Sequence, residues 1–415
     1  MHSGGSCAAA ARLLTLAVPV AVAVIIAIPS PAGAAARERV RDLGIAVGVF
    51  TTGAHNAITD VAGVRVGHST IIQGDDIRTG VTAIIPTDGN LYTHPIPAWI
   101  HVGNGYGKII GATQVQELGE LETPILLTCT MCVWRAAQGL VSWMYDQPGM
   151  GEDSINPVVG ETNDSRVNNM WADPVGLNHV YDALNGATDG PVLEGTIGAG
   201  TGTQAFGWKG GIGTSSRHLP PGLGGWTIGV LVQTNFGGNL TINSAPVGRE
   251  LERFPYQHAL GHPPPAASSP PGPEESRRQD GSIMIVLATD APMDSRNLRR
   301  LSERAIMGLA RTGSFAHNGS GDYVIAFSTH PDVRRPRHSE VPVRTATLVN
   351  AAMSPLFAAT AEATEEAVYN ALFAATAVTS SRGTLKAIPH DEVLRILRKY
   401  NSLYWGSHLP PGRVD

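Results

Sequence analysis

The sequence has little charge, and neither sign dominates. Charged residues occupy 16% of the 415 positions, where 30 Lys and Arg oppose 35 Asp and Glu for a net charge of −5. Because no long block of one sign occurs, neither a nucleic-acid-binding surface nor an acidic or basic tail is indicated. An internal repeat of about 20–50 residues is also absent, which argues against a solenoid. Hydrophobic residues reach 42%, enough for a sizeable core in two or three domains or in one large α/β unit.

Long hydrophobic runs are missing except at the N-terminus. There, a start with a single positive charge leads into an apolar run from Leu13 to Pro29, and small residues follow. This order is typical of a secretory signal peptide. We expect residues 1–36 to be a signal cleaved near Ala34–Ala36, and the protein to be secreted or to lie in the periplasm or cell envelope. A retained anchor is the alternative, although about 17 residues is the short limit for a membrane span.

Cysteine is scarce. Of three cysteines, Cys7 would leave with the signal, and Cys129 and Cys132 form a C-x-x-C. Such a pair can be redox-active or half of a zinc site, but no second ligand pair follows at a fitting spacing. The pair ends an apolar run, where buried structural cysteines are common, and we interpret both as structural.

Runs rich in Val, Ile and Thr alternate with Gly-rich turns, and apolar residues at helical spacing lie between and after them. This mixture predicts stacked α/β layers rather than a pure β-sandwich. The predicted strands are 44–50, 63–66, 81–85, 125–130, 227–234, 283–288 and 323–328. The predicted helices are 112–121, 133–144, one capped by Asp294 or Ser295 that stops at Gly313, 356–378 and 391–400.

Residues 262–279 read HPPPAASSPPGPEESRRQ and predict an exposed linker. Directly after it, Asp280-Gly281-Ser282 precedes a predicted buried strand. A cut between Gly281 and Ser282 would disturb the fold little and would leave a serine with a free α-amine at the edge of a sheet. An N-terminal serine or threonine is an established nucleophile, although Ser282 considered alone is typical of a turn residue.

Several spaced motifs carry a family resemblance. Asp280-Gly281-Ser282-Ile283 with Ala288-Thr289-Asp290-Ala291-Pro292 resembles the self-processing site of the DmpA-like family, the L-aminopeptidase D-amidase/D-esterases and β-peptidyl aminopeptidases. The resemblance extends from about Gly44 to Thr384. Its other motifs are Ile58-Thr59-Asp60-Val61-Ala62-Gly63-Val64-Arg65-Val66-Gly67-His68, Pro157-Val158-Val159-Gly160-Glu161-Thr162, Val232-Gln233-Thr234-Asn235-Phe236-Gly237 and Gly308-Leu309-Ala310-Arg311-Thr312-Gly313.

The resemblance implies that Ser282 attacks the carbonyl of Gly281 during maturation and then acts as the nucleophile on substrates. It implies that Ser320 and Asp322 support this nucleophile and that the Asn235 amide helps to form an oxyanion hole. Such a fixed N–H donor stabilises the charge of acyl transfer. The free α-amine, with an ordinary pKa of about 7.7–8.0, suits transfer of the hydroxyl proton. Read alone, these residues are typical of a turn, a strand start and a loop cap.

Three features depart from the family's pattern. The resemblance implies a tyrosine after Glu161-Thr162, but residues 163–167 contain none. Lys108 follows Asn104-Gly105-Tyr106-Gly107 where an acidic residue is expected, so the substrate's amine would be held differently. The linker at 262–279 is also longer than the family pattern implies.

Metal and nucleotide chemistry are not indicated. The 14 His residues, His68, His101 and His218 among them, include no H-E-x-x-H motif. The glycines from Gly198 to Gly202 lack the G-K-[ST] or acidic partner of a phosphate or dinucleotide loop. We expect no metal and no cofactor, and interpret these glycines as turns near a substrate pocket.

The resemblance implies a four-layer α/β/β/α sandwich cut into an N-terminal chain, 37–281, and a C-terminal chain, 282–415, which assemble as a homotetramer of processed pairs. It implies the release of N-terminal residues from short peptides, amino-acid amides or esters through an acyl-enzyme on Ser282. Two alternatives stay open. One is acyl transfer to an amine, as in the similarly folded ornithine acetyltransferases, which use threonine. The other is an uncleaved, non-catalytic secreted binding protein.

Overall fold

The computed structural model describes Met1 and residues 38–151, 154–262 and 281–404, and the described residues from 38 onward form one compact unit. The signal predicted at 1–36 and the linker predicted at 262–279 lie outside the described residues, apart from Met1 and His262. No helix in the described part is long and apolar enough to cross a membrane.

Two sheets form the centre of the molecule. One has five strands in the order β1-β2-β6-β7-β4, and the other has six in the order β10-β11-β12-β13-β3-β5. The strands are β1 Arg65–Gln73, β2 Ile77–Ile85, β3 Ile96–Gly105, β4 Ile109–Ile110, β5 Glu120–Leu121, β6 Ile125–Cys129, β7 Val158–Thr162, β8 Gln204–Ala205, β9 Trp208–Lys209, β10 Ile212–His218, β11 Thr227–Asn235, β12 Ser282–Thr289, β13 Gly321–Ser328, β14 Val378–Ser380 and β15 Gly383–Leu385.

Helices cover the outer face of each sheet. They are α1 Ala112–Leu118, α2 Val133–Tyr145, α3 Leu177–Asn185, α4 Val247–Glu250, α5 Ser295–Arg311, α6 Met353–Phe373 and α7 His390–Lys399. The long helices α5 and α6 pack on the six-stranded sheet, whereas α2 and α3 pack on the five-stranded one. The two sheets face each other between these helical layers.

Strand β12 shows how the sequence fits this arrangement. Neighbouring residues of a strand point to opposite faces, so a strand buried on both faces is apolar throughout. In β12, Ile285 joins the core beneath α5 and α6, and Val286 joins the core between the sheets. A third core lies under α2 and α3. The four-layer α/β/β/α sandwich is therefore confirmed.

The strand predicted at 44–50 is wrong. Gly44 and Gly48 have φ values of 80° and 74°, in the left-handed region that glycine tolerates and strands do not use. The backbone N–H groups of Val49 and Phe50 donate to the carboxylate of Glu362 on α6 rather than to a neighbouring strand. A side chain distant in sequence thus replaces the strand partner that the apolar run indicated.

Other predicted elements exist with shifted ends. The helix predicted at 112–121 ends at Leu118 because Gly119 is left-handed, with φ 70°, and Leu121 pairs with Ile96 instead. The helix predicted at 356–378 ends at Phe373. The strand predicted at 63–66 begins only at Arg65. The cap predicted at Asp294 is confirmed, since its side chain accepts a hydrogen bond from the Asn297 N–H.

Candidate active site

Ser282 is the first residue of β12, a strand in the middle of the six-stranded sheet. The residue is 5% exposed. Its Oγ accepts a hydrogen bond from the backbone N–H of Gly321, at 3.1 Å. Because β12 and β13 run parallel, the starts of both strands meet at one end of the sheet. Polar residues at the start of β13 therefore lie beside Ser282.

Asn235 lies on the other side of Ser282, as its direct partner in the antiparallel pairing of β11 and β12. Its Oδ1 accepts a hydrogen bond from the Gln204 N–H at 3.1 Å, which fixes the orientation of the amide. A side-chain amide also has two N–H donors. Among the described residues, Nδ2 of Asn235 has no hydrogen-bond partner. It is therefore available to a negatively charged oxygen near Ser282.

Ser320 and Asp322 form a hydrogen-bonded pair at the start of β13. The Ser320 Oγ lies 2.6 Å from Oδ2 of Asp322 and 2.7 Å from the carbonyl oxygen of His317, and its single proton serves one acceptor at a time. Burial raises the pKa of Asp322 to about 6, against the opposing effect of hydrogen bonds from Ser320 and the Ile283 backbone. Asp322 is thus a carboxyl group that changes charge in the physiological range.

Gly281 occupies a position with no room for a side chain. A Cβ there would lie 2.1 Å from the carbonyl oxygen of Asn235 and 2.3 Å from the Cα of Phe236. Non-bonded heavy atoms do not approach so closely, so any other residue would push the backbone away. The absence of a side chain keeps the peptide group before Ser282 close to Asn235.

A further acid, Glu161, lies near this group at the end of β7. It is 2% exposed, and burial raises its pKa. Its Oε2 accepts a hydrogen bond from the Thr130 hydroxyl, and its Oε1 accepts one from the Lys108 N–H at 2.8 Å. Gly107 lies between Glu161 and Gly321, since a Cβ there would be 3.3 Å from Oε1 of the first and 3.0 Å from Cα of the second. Only Gly107 therefore separates Glu161 from Gly321, whose N–H donates to Ser282.

A tyrosine also borders the site, although not from residues 163–167. Tyr323, on β13, donates its hydroxyl hydrogen to the carbonyl oxygen of Gly107 at 2.9 Å, and its ring lies against Gly107 and Gly321. Burial raises the pKa of Tyr323. This ring and the pairing of β3 with β13 hold Gly107 close to Gly321.

The structure thus brings together all the residues to which the sequence assigned roles, namely Gly281, Ser282, Ser320, Asp322 and Asn235. Sequence reasoning quoted Glu161 within a motif but gave it no role. The available signal was an acidic residue inside a five-residue strand that is otherwise apolar or small, because buried carboxylates are rare without a function or a partner. In the described part of the chain, no group of three or more His, Cys, Asp or Glu could hold a metal ion.

A serine at the start of a central strand, an acid–serine pair beside it and an oriented amide opposite it are the parts of an acyl-transfer site. The four-layer sandwich around them has the architecture of the N-terminal-nucleophile hydrolase fold. The chain is 35% identical, with a TM-score of 0.77 over 88% of this chain and 99% of the other, to the L-aminopeptidase D-Ala-esterase/amidase of Ochrobactrum anthropi, which is described as a variant of that fold.

The model of peptidase family S58 matches residues 56–386, and the chain belongs to this family of peptidases. It is 39% identical to the β-peptidyl aminopeptidase BapA of Sphingosinicella microcystinivorans over 88% of this chain and 92% of that protein. A β-aminopeptidase structure from a Burkholderia species is 38% identical, with a TM-score of 0.78 over 87% of this chain and 99% of the other. The resemblance to the DmpA-like aminopeptidases is thereby confirmed.

Proposed function

We propose that the protein cuts itself between Gly281 and Ser282 and then works as an aminopeptidase with Ser282 as its N-terminal nucleophile. It releases the first residue of short peptides, amino-acid amides or esters through an acyl-enzyme. The observation that carries this proposal is the position of Ser282, which is held by the Gly321 N–H between Asn235 and the Ser320–Asp322 pair.

In maturation, Ser282 Oγ bonds to the carbonyl carbon of Gly281, and the C–N bond between the two residues breaks. The hydroxyl proton moves to the released nitrogen, which becomes the α-amine of Ser282. Water then hydrolyses the resulting ester and leaves a carboxylate on Gly281. The Nδ2 group of Asn235 stabilises the oxyanion in both steps, a contribution of several kcal/mol for a fixed donor.

In substrate turnover, the α-amine of Ser282 accepts the hydroxyl proton as Oγ attacks the substrate carbonyl. The proton then passes to the leaving amine, and water hydrolyses the acyl-enzyme. Asp322 and Ser320 hold the α-amine and orient these transfers, as the third member of a catalytic triad orients its base.

Glu161 binds the ammonium group of the substrate. An enzyme that selects free N-termini needs a negative charge near its nucleophile, and Glu161 is the buried acid across Gly107 from Gly321. Its two hydrogen bonds leave other lone pairs for an ammonium group. This acid would compensate for Lys108, which stands where the family pattern implies an acid.

The proposal extends to the protein's state in the cell. We propose export through the N-terminal signal, and a homotetramer of processed pairs made of chains 37–281 and 282–415. The mass measurement that tests the cut also shows where the N-terminal chain begins and ends, and so whether it keeps the linker at 262–279.

The first test is intact mass and N-terminal sequencing of the purified protein, together with hydrolysis of L-alanyl and β-alanyl amides. We expect a fragment that begins Ser-Ile-Met-Ile, and amide hydrolysis that disappears in Ser282→Ala. Ser339→Ala, which removes an exposed hydroxyl that, among the described residues, bonds only to Val341 in its own loop, is the matched control and should behave as the parent. A single uncut chain without activity would instead support a binding protein.

A second test separates the roles of Glu161 and Ser282. Glu161→Gln keeps the size of the side chain but removes its charge, so we expect KM for amides with a free amine to rise at least tenfold. Cleavage at Gly281 uses no substrate ammonium and should proceed normally. Loss of self-cleavage in this variant would contradict the assigned role.

A further inference from the structure

Cys129 and Cys132 are joined by a disulfide. Both residues are about 1% exposed, which agrees with their interpretation as structural, although the sequence alone did not predict that they pair. Strand β6 ends at Cys129, a 3₁₀ turn spans Thr130–Cys132, and α2 begins at Val133. The disulfide therefore closes a loop of only two residues, at the point where a core strand turns into a helix.

One of the two residues inside this loop contacts the site. The Thr130 hydroxyl donates to Oε2 of Glu161, and Thr130 is itself buried. The contact follows from the parallel pairing of β6 with β7, in which Thr128 lies opposite Glu161. Of the two hydrogen bonds to Glu161 among the described residues, the one from Lys108 comes from a backbone N–H. Thr130 supplies the one from a side chain.

The disulfide restricts the backbone between the two cysteines, and so restricts where the Thr130 hydroxyl can point. Without the bond, residues 129–132 regain conformational freedom, while the rest of β6 stays fixed by its pairing with β2 and β7. Two reduced thiols would remain buried as small apolar groups. The effect of breaking the bond is therefore concentrated on the turn and on the carboxylate that the turn holds.

We propose that the Cys129–Cys132 disulfide and Thr130 position Glu161, so that affinity for the substrate's amine depends on the oxidation state of this cysteine pair. The inference rests on the proposed role of Glu161. Thr130 and the cysteines act through Glu161 and are positioning residues. Reduction by a dithiol adds two electrons and two protons to the bond, giving two thiols, while the dithiol becomes a cyclic disulfide.

The experiment compares kcat and KM for an alanyl amide among variants of the full-length, self-processed protein. Cys129→Ala with Cys132→Ala removes the bond without requiring a reductant to enter the core. Thr130→Val replaces the hydroxyl with a methyl group, and Thr130→Ser keeps a hydroxyl at this position. In the double alanine variant and in Thr130→Val, we expect KM to rise about tenfold and kcat to change less than about twofold. Thr130→Ser should match the parent.

Two further measurements make the coupling specific. Combining Thr130→Val with the double alanine change should raise KM no more than Thr130→Val alone, because both act through one contact. Val133→Ala removes buried packing at the start of α2 but keeps the disulfide, and should lower Tm without changing KM. Parent protein treated with dithiothreitol under partly denaturing conditions, then returned to buffer with the thiols alkylated, should resemble the double alanine variant.

The outcomes separate this inference from the proposed function. If Thr130→Val raises KM but the double alanine variant does not, the disulfide has no positioning role. If neither changes KM while Glu161→Gln does, the positioning proposal is wrong and the role of Glu161 stands. If Glu161→Gln leaves KM unchanged in a self-processed, active enzyme, the role assigned to Glu161 fails first.

Discussion

We expect the proposed self-processing to depend on pH through Asp322. A carboxyl group with a pKa of about 6 is neutral below that pH and charged above it, and only the charged form attracts the hydrogen of Ser320 and the new ammonium group. We expect conversion of freshly translated chain to slow as the pH falls through about 6. Asp322→Asn should process slowly and without this acid limb. The measurement is pulse-labelled chain shifted into a series of buffers and followed on denaturing gels.

The same carboxyl group costs stability when it is charged. Its pKa in the folded chain lies above the ordinary value of 3.8, so the folded state favours the protonated form, and its contribution to stability falls as the pH rises from 3.8 through about 6. In a Ser282→Ala background, Asp322→Asn should raise the free energy of unfolding by about 1–3 kcal/mol at about pH 8, and not below about pH 4. An equal gain at both pH values would contradict the assigned titration.

Gly281 should be irreplaceable for self-processing. In Gly281→Ala, the new methyl group would meet the Asn235 carbonyl oxygen and displace the scissile peptide from Ser282. A displacement of about 1 Å can slow a reaction about a hundredfold, and we expect at least that effect on the rate of cleavage. Gly222→Ala is the matched control, since nothing lies within 4 Å of its Cβ position. Normal cleavage of Gly281→Ala would show that the peptide has freedom here.

At the residue scale, the sequence predicted the serines, Asp322 and Asn235 only through the family resemblance. The reason is physical, because Asn235 faces Ser282 through strand pairing and not through proximity in sequence. The role of Glu161 was missed because it depends on Gly107, in the turn between β3 and β4, and on Gly321, at the start of β13. A polar residue's chemistry depends on neighbours that only the folded chain supplies.

At the scale of single elements, the contact of α5 with α6 gives a prediction whose sign is unusual. Gly308 lies inside α5, where alanine normally stabilises a helix by about 1 kcal/mol. A Cβ at Gly308 would, however, lie 2.5 Å from the Ala361 carbonyl oxygen and 2.9 Å from the Thr364 Cβ. We expect Gly308→Ala to destabilise the protein by about 1–3 kcal/mol in urea unfolding. The exposed Ala310→Gly should lose about 1 kcal/mol by helix propensity alone.

Apolar patterning predicted most elements, and it failed where a tertiary contact replaced a local rule. Continuous apolar runs gave β12 and β13 nearly to their ends, because both strands are buried on both faces. Residues 44–50 have a similar composition, yet the N–H groups of Val49 and Phe50 bind Glu362. Composition records that a segment is buried, but not which group satisfies its backbone.

For the whole molecule, the cut at Gly281 should not let the two chains separate. The C-terminal chain would supply β12 and β13, which pair with β11 on one side and β3 on the other, both from the N-terminal chain. Helix α6, also from the C-terminal chain, packs on β10 and β11. The two chains therefore share the six-stranded sheet and the cores on both of its faces, whereas the third core, beneath α2 and α3, comes from the N-terminal chain alone.

The processed chains should accordingly elute together from a sizing column in native buffer and separate only in denaturant. They should lose structure in one transition, because removing either chain exposes both faces of the sheet core. Unfolding of a cut pair releases two molecules, so its midpoint should depend more steeply on protein concentration than that of the uncut Ser282→Ala chain. Sizing with mass determination and urea titrations at several concentrations measure this. Two separate transitions would mean that part of the fold, such as the third core of the N-terminal chain, unfolds independently of the shared sheet, contrary to this prediction.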